Sequence, residues 1–406
     1  MKNTSYETRR LHGTSAGDAT LALNCVTPPP PPANCRLIQF VKPAFLTAAS
    51  LLFVAGGVQA VDVTLNSAQG AYTYNDPDGT LTIVNGGRAQ MGSSAFAAAK
   101  VIVEEGGSFW SYNSVSYISH FVISGNGYSG DSYGNGAIRL AGNSIGGSIT
   151  VSGAPSNAHG AQYAATIAAV GATTGQISAN LLDDPTTAYA DQLWINAGVN
   201  GGTVSLTGDN SGFTGDIYVR RASEGSDTSR LQIGYGGTTG NLDGDNAVYL
   251  QKNTGIIFNR SNDITFAGTL ANTTSGPGSN LGNGTDGRLY KHGAGTLVLT
   301  GNSANFTGAT NVVLGTLQIG NATGSVDSGF IDSVISLAAV STKVVFDRET
   351  AVTYAKAING SGAFEKKGDG TLTLSAANGY TGTTSVSGGV LAFGAGGNIA
   401  ASTAVV

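Results

Sequence analysis

The amino-acid sequence predicts an all-β solenoid, and three observations carry that prediction. Short strands of the form Thr-aliphatic-Thr-aliphatic recur along the chain. The motif returns after nineteen to twenty-odd residues, and glycine is abundant where charge is scarce. Gly is 61 of 406 residues, about twice ordinary usage, and charged residues are 11% against about 25% in an average protein. The 41% hydrophobic content is enough to fill a core, which excludes disorder from low hydropathy. With only 10 Pro and no glycine at every third position, collagen is excluded too. A formal charge of −5 offers no basic surface for neutralising phosphates, so nucleic acid is not an expected partner.

Residues 1–60 read as an extended leader. An uncharged run from Ala44 to Val58 follows Arg36 and Lys42 and ends in Val58-Gln59-Ala60, the layout of a secretory signal cleaved between Ala60 and Val61. At 1.5 Å per residue the run is too short to span a hydrocarbon core of about 30 Å. Cys25 and Cys35, the only two cysteines, and the five prolines Pro28 to Pro32 would leave with the leader. The mature chain would then hold 15 basic and 23 acidic residues, a net of −8, with no cysteine. An exported chain without disulfides must be stabilised by core packing and hydrogen-bond ladders.

The strands come next. Thr80-Leu81-Thr82-Ile83, Ser148-Ile149-Thr150-Val151, Thr203-Val204-Ser205-Leu206, Thr296-Leu297-Val298-Leu299 and Thr371-Leu372-Thr373-Leu374 share one alternation. Their aliphatic positions face a core and their Thr/Ser positions face water. Two Ala-rich segments, 95–104 and 158–170, are the places where a short helix is expected.

The spacing organises these strands. Gly295-Thr-Leu-Val-Leu resembles Gly315-Thr-Leu-Gln-Ile twenty residues later, and Leu372 precedes Leu391 by nineteen. About twenty residues at about 3.3 Å each make one turn of a three-sided coil, and coils then stack about 4.8 Å apart. Some 14 to 17 coils and a rod of about 65 to 80 Å follow for the mature chain. Glycine would turn the corners, Asn would stack at them, and like charges repeated from rung to rung would repel. A set of antiparallel sandwiches would also alternate, but it has no reason for a near-identical motif at one-coil spacing.

Two longer blocks repeat each other at an offset of 75. Gly287-Arg-Leu-Tyr-Lys291-His-Gly293-Ala-Gly295-Thr-Leu-Val-Leu299 matches Gly362-Ala-Phe-Glu-Lys366-Lys-Gly368-Asp-Gly370-Thr-Leu-Thr-Leu374. Each runs into an aromatic turn, Phe306-Thr307-Gly308 or Tyr380-Thr381-Gly382, and a looser copy ends at Phe213-Thr214-Gly215. This pattern resembles the autotransporter-associated β-strand repeat, also called the passenger-associated transport repeat, with clear copies at 287–320 and 362–394. The resemblance implies a right-handed parallel β-helix in an exported bacterial surface protein. On this basis residues 61–200 form N-terminal rungs with weaker repeats, and 201–406 form the repeat-bearing rungs. The membrane barrel that ends a complete autotransporter has no counterpart before Val406, so a C-terminal translocator or anchor is expected beyond the chain given, with a free secreted β-helix as the alternative.

Candidate chemistry is sparse. Asp209 with Asp216, Asp243 with Asp245, and Arg220-Arg221 beside Glu224 and Asp227 are the groups that an enzyme on this scaffold would use; scattered surface charge accounts for them equally. Gly130-Asp131-Ser132 lacks the partner blocks of an esterase, and His120, His159 and His292 have no ligand spacing. Asp76-Pro77-Asp78-Gly79 opens like a calcium loop but has Gly87 where a bidentate Glu belongs, so a turn is expected. Lys291 and Lys366, at one place in the repeat, read as structural surface lysines. Trp110, Tyr112 and Tyr117, among Phe109, Phe121, Tyr128 and Tyr133, are the candidate ligand-facing aromatics, with packing inside the first rungs as the alternative.

The expected function is that of a surface rod, a stalk or adhesin of the autotransporter-passenger type, non-enzymatic and without cofactor or metal. Surface glycans or other cells are the expected partners. A β-helical polysaccharide lyase or hydrolase and a self-associating scaffold are the alternatives. Acids aligned on neighbouring rungs would favour the enzyme.

Overall fold

A computed structural model describes residues 21–25, 35–39, 60–111, 117–127, 136–153, 165–187, 191–197, 201–220, 228–273, 286–322, 329–400 and 405–406. The core of the expected signal, residues 44–58, lies outside them. Within residues 1–60, Leu21–Cys25 pairs antiparallel with Cys35–Gln39, and the backbone register sets Cys25 opposite Cys35.

Among the described residues from Val63 onward every strand pairing is parallel, and up to three strands make one coil of a β-helix. One register line runs Leu81, Val101, Phe121, Ile149, Leu181. The same side continues as Ile264, Leu297, Leu317, Val344, Phe364, Thr384. A second side carries Phe258, Lys291, Val312, Leu337, Gly360 and Tyr380. The third carries Val352, Leu372 and Leu391. Leu297 beside Leu317 and Leu372 beside Leu391 are the one-coil neighbours that the sequence spacing predicts. Coil length is uneven: the step is 18 residues from Val63 to Leu81 and 33 from Phe258 to Lys291.

Alternation fills the interior. All five Thr-aliphatic strands bury both aliphatic side chains, from Leu81 and Ile83 to Leu372 and Leu374. The aromatic turn residues Phe213, Phe306 and Tyr380 are fully buried, and Phe364 stacks on Tyr380 at 5.6 Å. Corners carry the predicted Asn ladders. Asn210 donates from Nδ2 to the Asn241 carbonyl at 2.9 Å, and Asn378 does the same to Asn398 at 2.9 Å.

The helical expectation fails at the first site and over the described part of the second. Residues 95–103 lie in the strand Arg88–Val103 and 165–169 form the strand Ala165–Ala169, while 158–164 lie outside the described residues. Alanine's helix preference is a few tenths of a kcal/mol per residue, and a ladder on both sides overrides it.

The 75-residue offset is not a whole number of coils. Leu297 of the first block lies on the Leu317–Val344 side, whereas its counterpart Leu372 lies on the Val352–Leu391 side. The block therefore advances by three coils and one side, and the same motif serves different sides of the rod.

The repeat lysines are the main departure from the sequence reading. Lys291 is 2% exposed and Lys366 1%, at inward positions of Arg288–His292 and Ala363–Lys367. Lys291 Nζ donates to the carbonyls of His292 (2.9 Å), Gly293 (2.8 Å) and Leu314 (3.0 Å). Lys366 Nζ donates likewise to Lys367, Gly368 (2.7 Å) and Gly388 (3.4 Å). Each ammonium thus fills a corner from inside and ties it to the same corner one coil later. The glycine of that corner is obligatory. Gly293 has φ +75°, and a Cβ there would lie 2.1 Å from the Arg260 carbonyl of the preceding coil.

Two consequences can be measured. Gly293→Ala meets both a left-handed φ and a backbone clash, so its urea midpoint should fall by the equivalent of about 2–3 kcal/mol. Gly237→Ala, where a Cβ meets nothing within 4 Å, should leave the midpoint unchanged. Lys291→Met strands three carbonyls and should cost about 2–4 kcal/mol. Burial pulls the Lys291 ammonium from its ordinary 10.5 down to about 8, against an opposing pull from Asp263. The unfolded chain therefore binds this proton more tightly, and stability should rise with pH from about 8 towards the ordinary lysine value. Below about 8 the contribution is flat. Between about pH 8 and 9.5, before tyrosines titrate, the slope should be shallower in Lys291→Met than in the wild type.

Candidate binding surface

On the lateral surface each outward side chain of a strand meets the outward side chain in register one coil away. Trp110 points outward from the strand Ser108–Ser111, while its neighbour Phe109 points in. Its ring is not open: the Arg139 guanidinium lies 4.6 Å and the Arg88 guanidinium 5.5 Å from its centroid. Tyr117 is 2% exposed and packs edge-on against Phe96 and Phe109, each at 5.4 Å, and burial raises its phenol pKa. Tyr117 is thus a core residue rather than a ligand-facing one, because its strand parity with Phe121 turns it inward. Tyr112, Tyr128 and Tyr133 lie outside the described residues.

A second aromatic line escaped the sequence reading. Trp194, Tyr218 and Tyr249 occupy one outward register. Tyr218 and Tyr249 stack at 4.7 Å and 16°, and the Arg220 guanidinium lies 3.8 Å from the Trp194 centroid. Although outward, Trp194 and Arg220 are 3% and 8% exposed. Desolvation lowers Arg220 to about 10. Burial, reinforced by Asp216 and Tyr249, pushes Tyr218 up to about 12. The signal was present in the sequence as Leu-Trp-Ile-Asn, Ile-Tyr-Val-Arg and Val-Tyr-Leu-Gln, an aromatic between two aliphatics followed by a polar group.

Of the candidate acids, Asp209 and Asp243 are occupied by turns, as is Asp76. Asp209 accepts from the Ser211 amide and hydroxyl and from Asn241, and these bonds hold its pKa down. Asp243 accepts from the Asp245 amide at 2.8 Å, and Asp76 from the Val61 and Asp78 amides at 2.6 and 3.0 Å. Asp216 is raised by burial alone, in the strand that carries Tyr218 and Arg220. Asp183, Asp184 and Asp191, which the sequence reading did not single out, behave similarly. Asp183 accepts from Thr214, and Asp191 from the amides of Gly153 and Asp184. Arg221, Glu224, Asp227, Gly130, Asp131, Ser132 and His159 lie outside the described residues. His120 shares a 2.7 Å bond with Ser148, and His292 packs against Tyr290; burial lowers both pKa values. Among the described residues no group of three His, Cys, Asp or Glu side chains is arranged to hold a metal. The outer surface therefore offers stacking, hydrogen bonding and local charge.

Residues 289–319 and 364–393 match the passenger-associated transport repeat family. A stretch of the chain is also 30% identical over 222 residues to the adhesin BmaC autotransporter of Brucella suis biovar 1 (strain 1330). That alignment covers 47% of this chain and 6% of the relative, so the chain corresponds to a small part of that protein's length. With the coil geometry and the corner lysines falling within both matched segments, the chain is a parallel β-helix that carries the passenger-associated transport repeat.

Proposed function

We propose that this chain is the surface-exposed rod of an autotransporter-type protein, acting as a stalk or adhesin and not as an enzyme. The observation that carries the reading is the use of the acids. On a β-helix an active site needs carboxylates free to move protons, set on neighbouring rungs. Here Asp76, Asp183, Asp209 and Asp243 each accept backbone N–H bonds within or between turns. Stacked coils give a stiff lateral surface that projects binding groups away from a membrane, and the adhesin relative supports that use. Export would begin with cleavage between Ala60 and Val61, and a translocator or anchor outside this chain would complete it. Surface glycans or other cells are the proposed partners.

Two assays test the reading. An antibody raised against residues 286–400 should label intact producing cells, and external protease should remove the label. Label seen only after permeabilisation would contradict surface display. The purified chain should release no reducing ends or unsaturated uronates from neutral or acidic polysaccharides, and such products would establish the enzymatic alternative.

A further inference from the structure

Charge is rare on this rod, yet two arginines share one ladder line. Arg230 is in register with Gly255, and Gly255 with Arg288, so the arginines stand two coils apart with no side chain between them. Their backbones are about 10 Å apart. The gap left by Gly255 opens into a cavity of about 130 Å³ lined by Thr228, Arg230, Asn253, Thr254, Arg288 and Tyr290. The Arg230 guanidinium lies 5.7 Å from the Tyr290 ring centroid.

Like charges on one ladder line repel, so this pair needs a counter-charge. Among the described residues, no ion pair supplies one. Ion pairs among the described residues include Lys343 with Glu365, Lys356 with Asp332 and Lys367 with Asp347, and neither Arg230 nor Arg288 is in one. One carboxylate, Asp286, is at the rim, and it accepts the Asn253 amide at 3.0 Å. Lys252, the sequence neighbour of the lining residue Asn253, is exposed. His292, beside Tyr290, is held towards its neutral form by burial and by Lys291 and Arg230.

We infer that this notch binds an acidic sugar residue, with the carboxylate or sulfate between Arg230 and Arg288 and the ring against Tyr290. Guanidinium forks match both anions in two-point geometry. An aromatic face accepts the apolar side of a pyranose. The Thr228 hydroxyl and the Asn253 side-chain amide supply donors and acceptors for ring hydroxyls. Thr254 already donates its hydroxyl to the Gln251 carbonyl at 2.8 Å, leaving its oxygen as an acceptor. The inference deepens the surface-binding reading by naming a ligand class, and it is tested without cells, so its failure leaves display and stalk function untouched.

Calorimetric titration of the full chain with a heparin hexasaccharide, an oligogalacturonate of equal length and neutral maltohexaose provides the test. At least one acidic probe should bind, and the neutral one should not. Which acidic probe binds tells sulfate from carboxylate recognition. Arg230→Gln and Arg288→Gln should each weaken binding about fivefold or more, and the double variant more than about twentyfold. Lys100→Gln, which removes the same charge from a distant rung, should leave affinity within about twofold, and melting curves should confirm that all variants fold. Absence of binding to both acidic probes, equal binding of the neutral probe, or equal loss in all single variants would overturn the assignment.

Discussion

Every feature of this chain is conditioned by one constraint, the stacking of parallel coils at the spacing of a β-ladder. Strand backbone groups pair with the neighbouring coils, and strand side chains meet their register partners about 4.8 Å away. Apolar groups gain from that arrangement, as in the line Leu297, Leu317, Val344, Phe364. Asn gains because its amide can donate to the next coil's carbonyl while its oxygen accepts the preceding coil's amide, as at Asn210 and Asn378. Charges lose unless something offsets them. The low charge content and the glycine-rich corners are both consequences of the ladder.

The corner lysines extend the same logic inward. A corner turns several carbonyls towards the interior, and buried carbonyls without donors are costly. One ammonium serves three of them and links two successive corners. A neutral amide has two donors on a shorter stem, and a guanidinium is too wide for a point between three oxygens. The Lys-x-Gly element of the repeat is therefore a cation built into a corner. Its recurrence on different sides of the rod shows that it belongs to corners in general and not to one face.

Much of this was legible in the sequence, and the omissions have physical causes. Nineteen- and twenty-residue spacings gave the coil because neighbouring coils place Leu372 beside Leu391 and Leu297 beside Leu317. Thr-Leu alternation gave the two faces of each strand. The burial of Lys291 was also readable, since it shares parity with Leu289, but its charge argued for water more loudly than its position argued for the core. Tyr117 was misplaced for the related reason that aromatic content says nothing about direction until strand parity is fixed. The paired arginines were invisible, because coil lengths vary, and only the register shows that Arg230 and Arg288 flank Gly255. They also put like charges on one ladder line with no ion pair to either among the described residues, which is where a binding partner is to be sought.

The central claim is the register itself, and a distance measurement tests it most directly. Val298 and Ser385 lie outward on one line through Gln318, Val345 and Glu365, four coils apart. With Cys25 and Cys35 replaced by Ser, spin labels at these two positions should give one narrow distance distribution centred at about 20 Å, four ladder spacings. A broad distribution, or one centred beyond about 30 Å, would contradict the stacked-coil account.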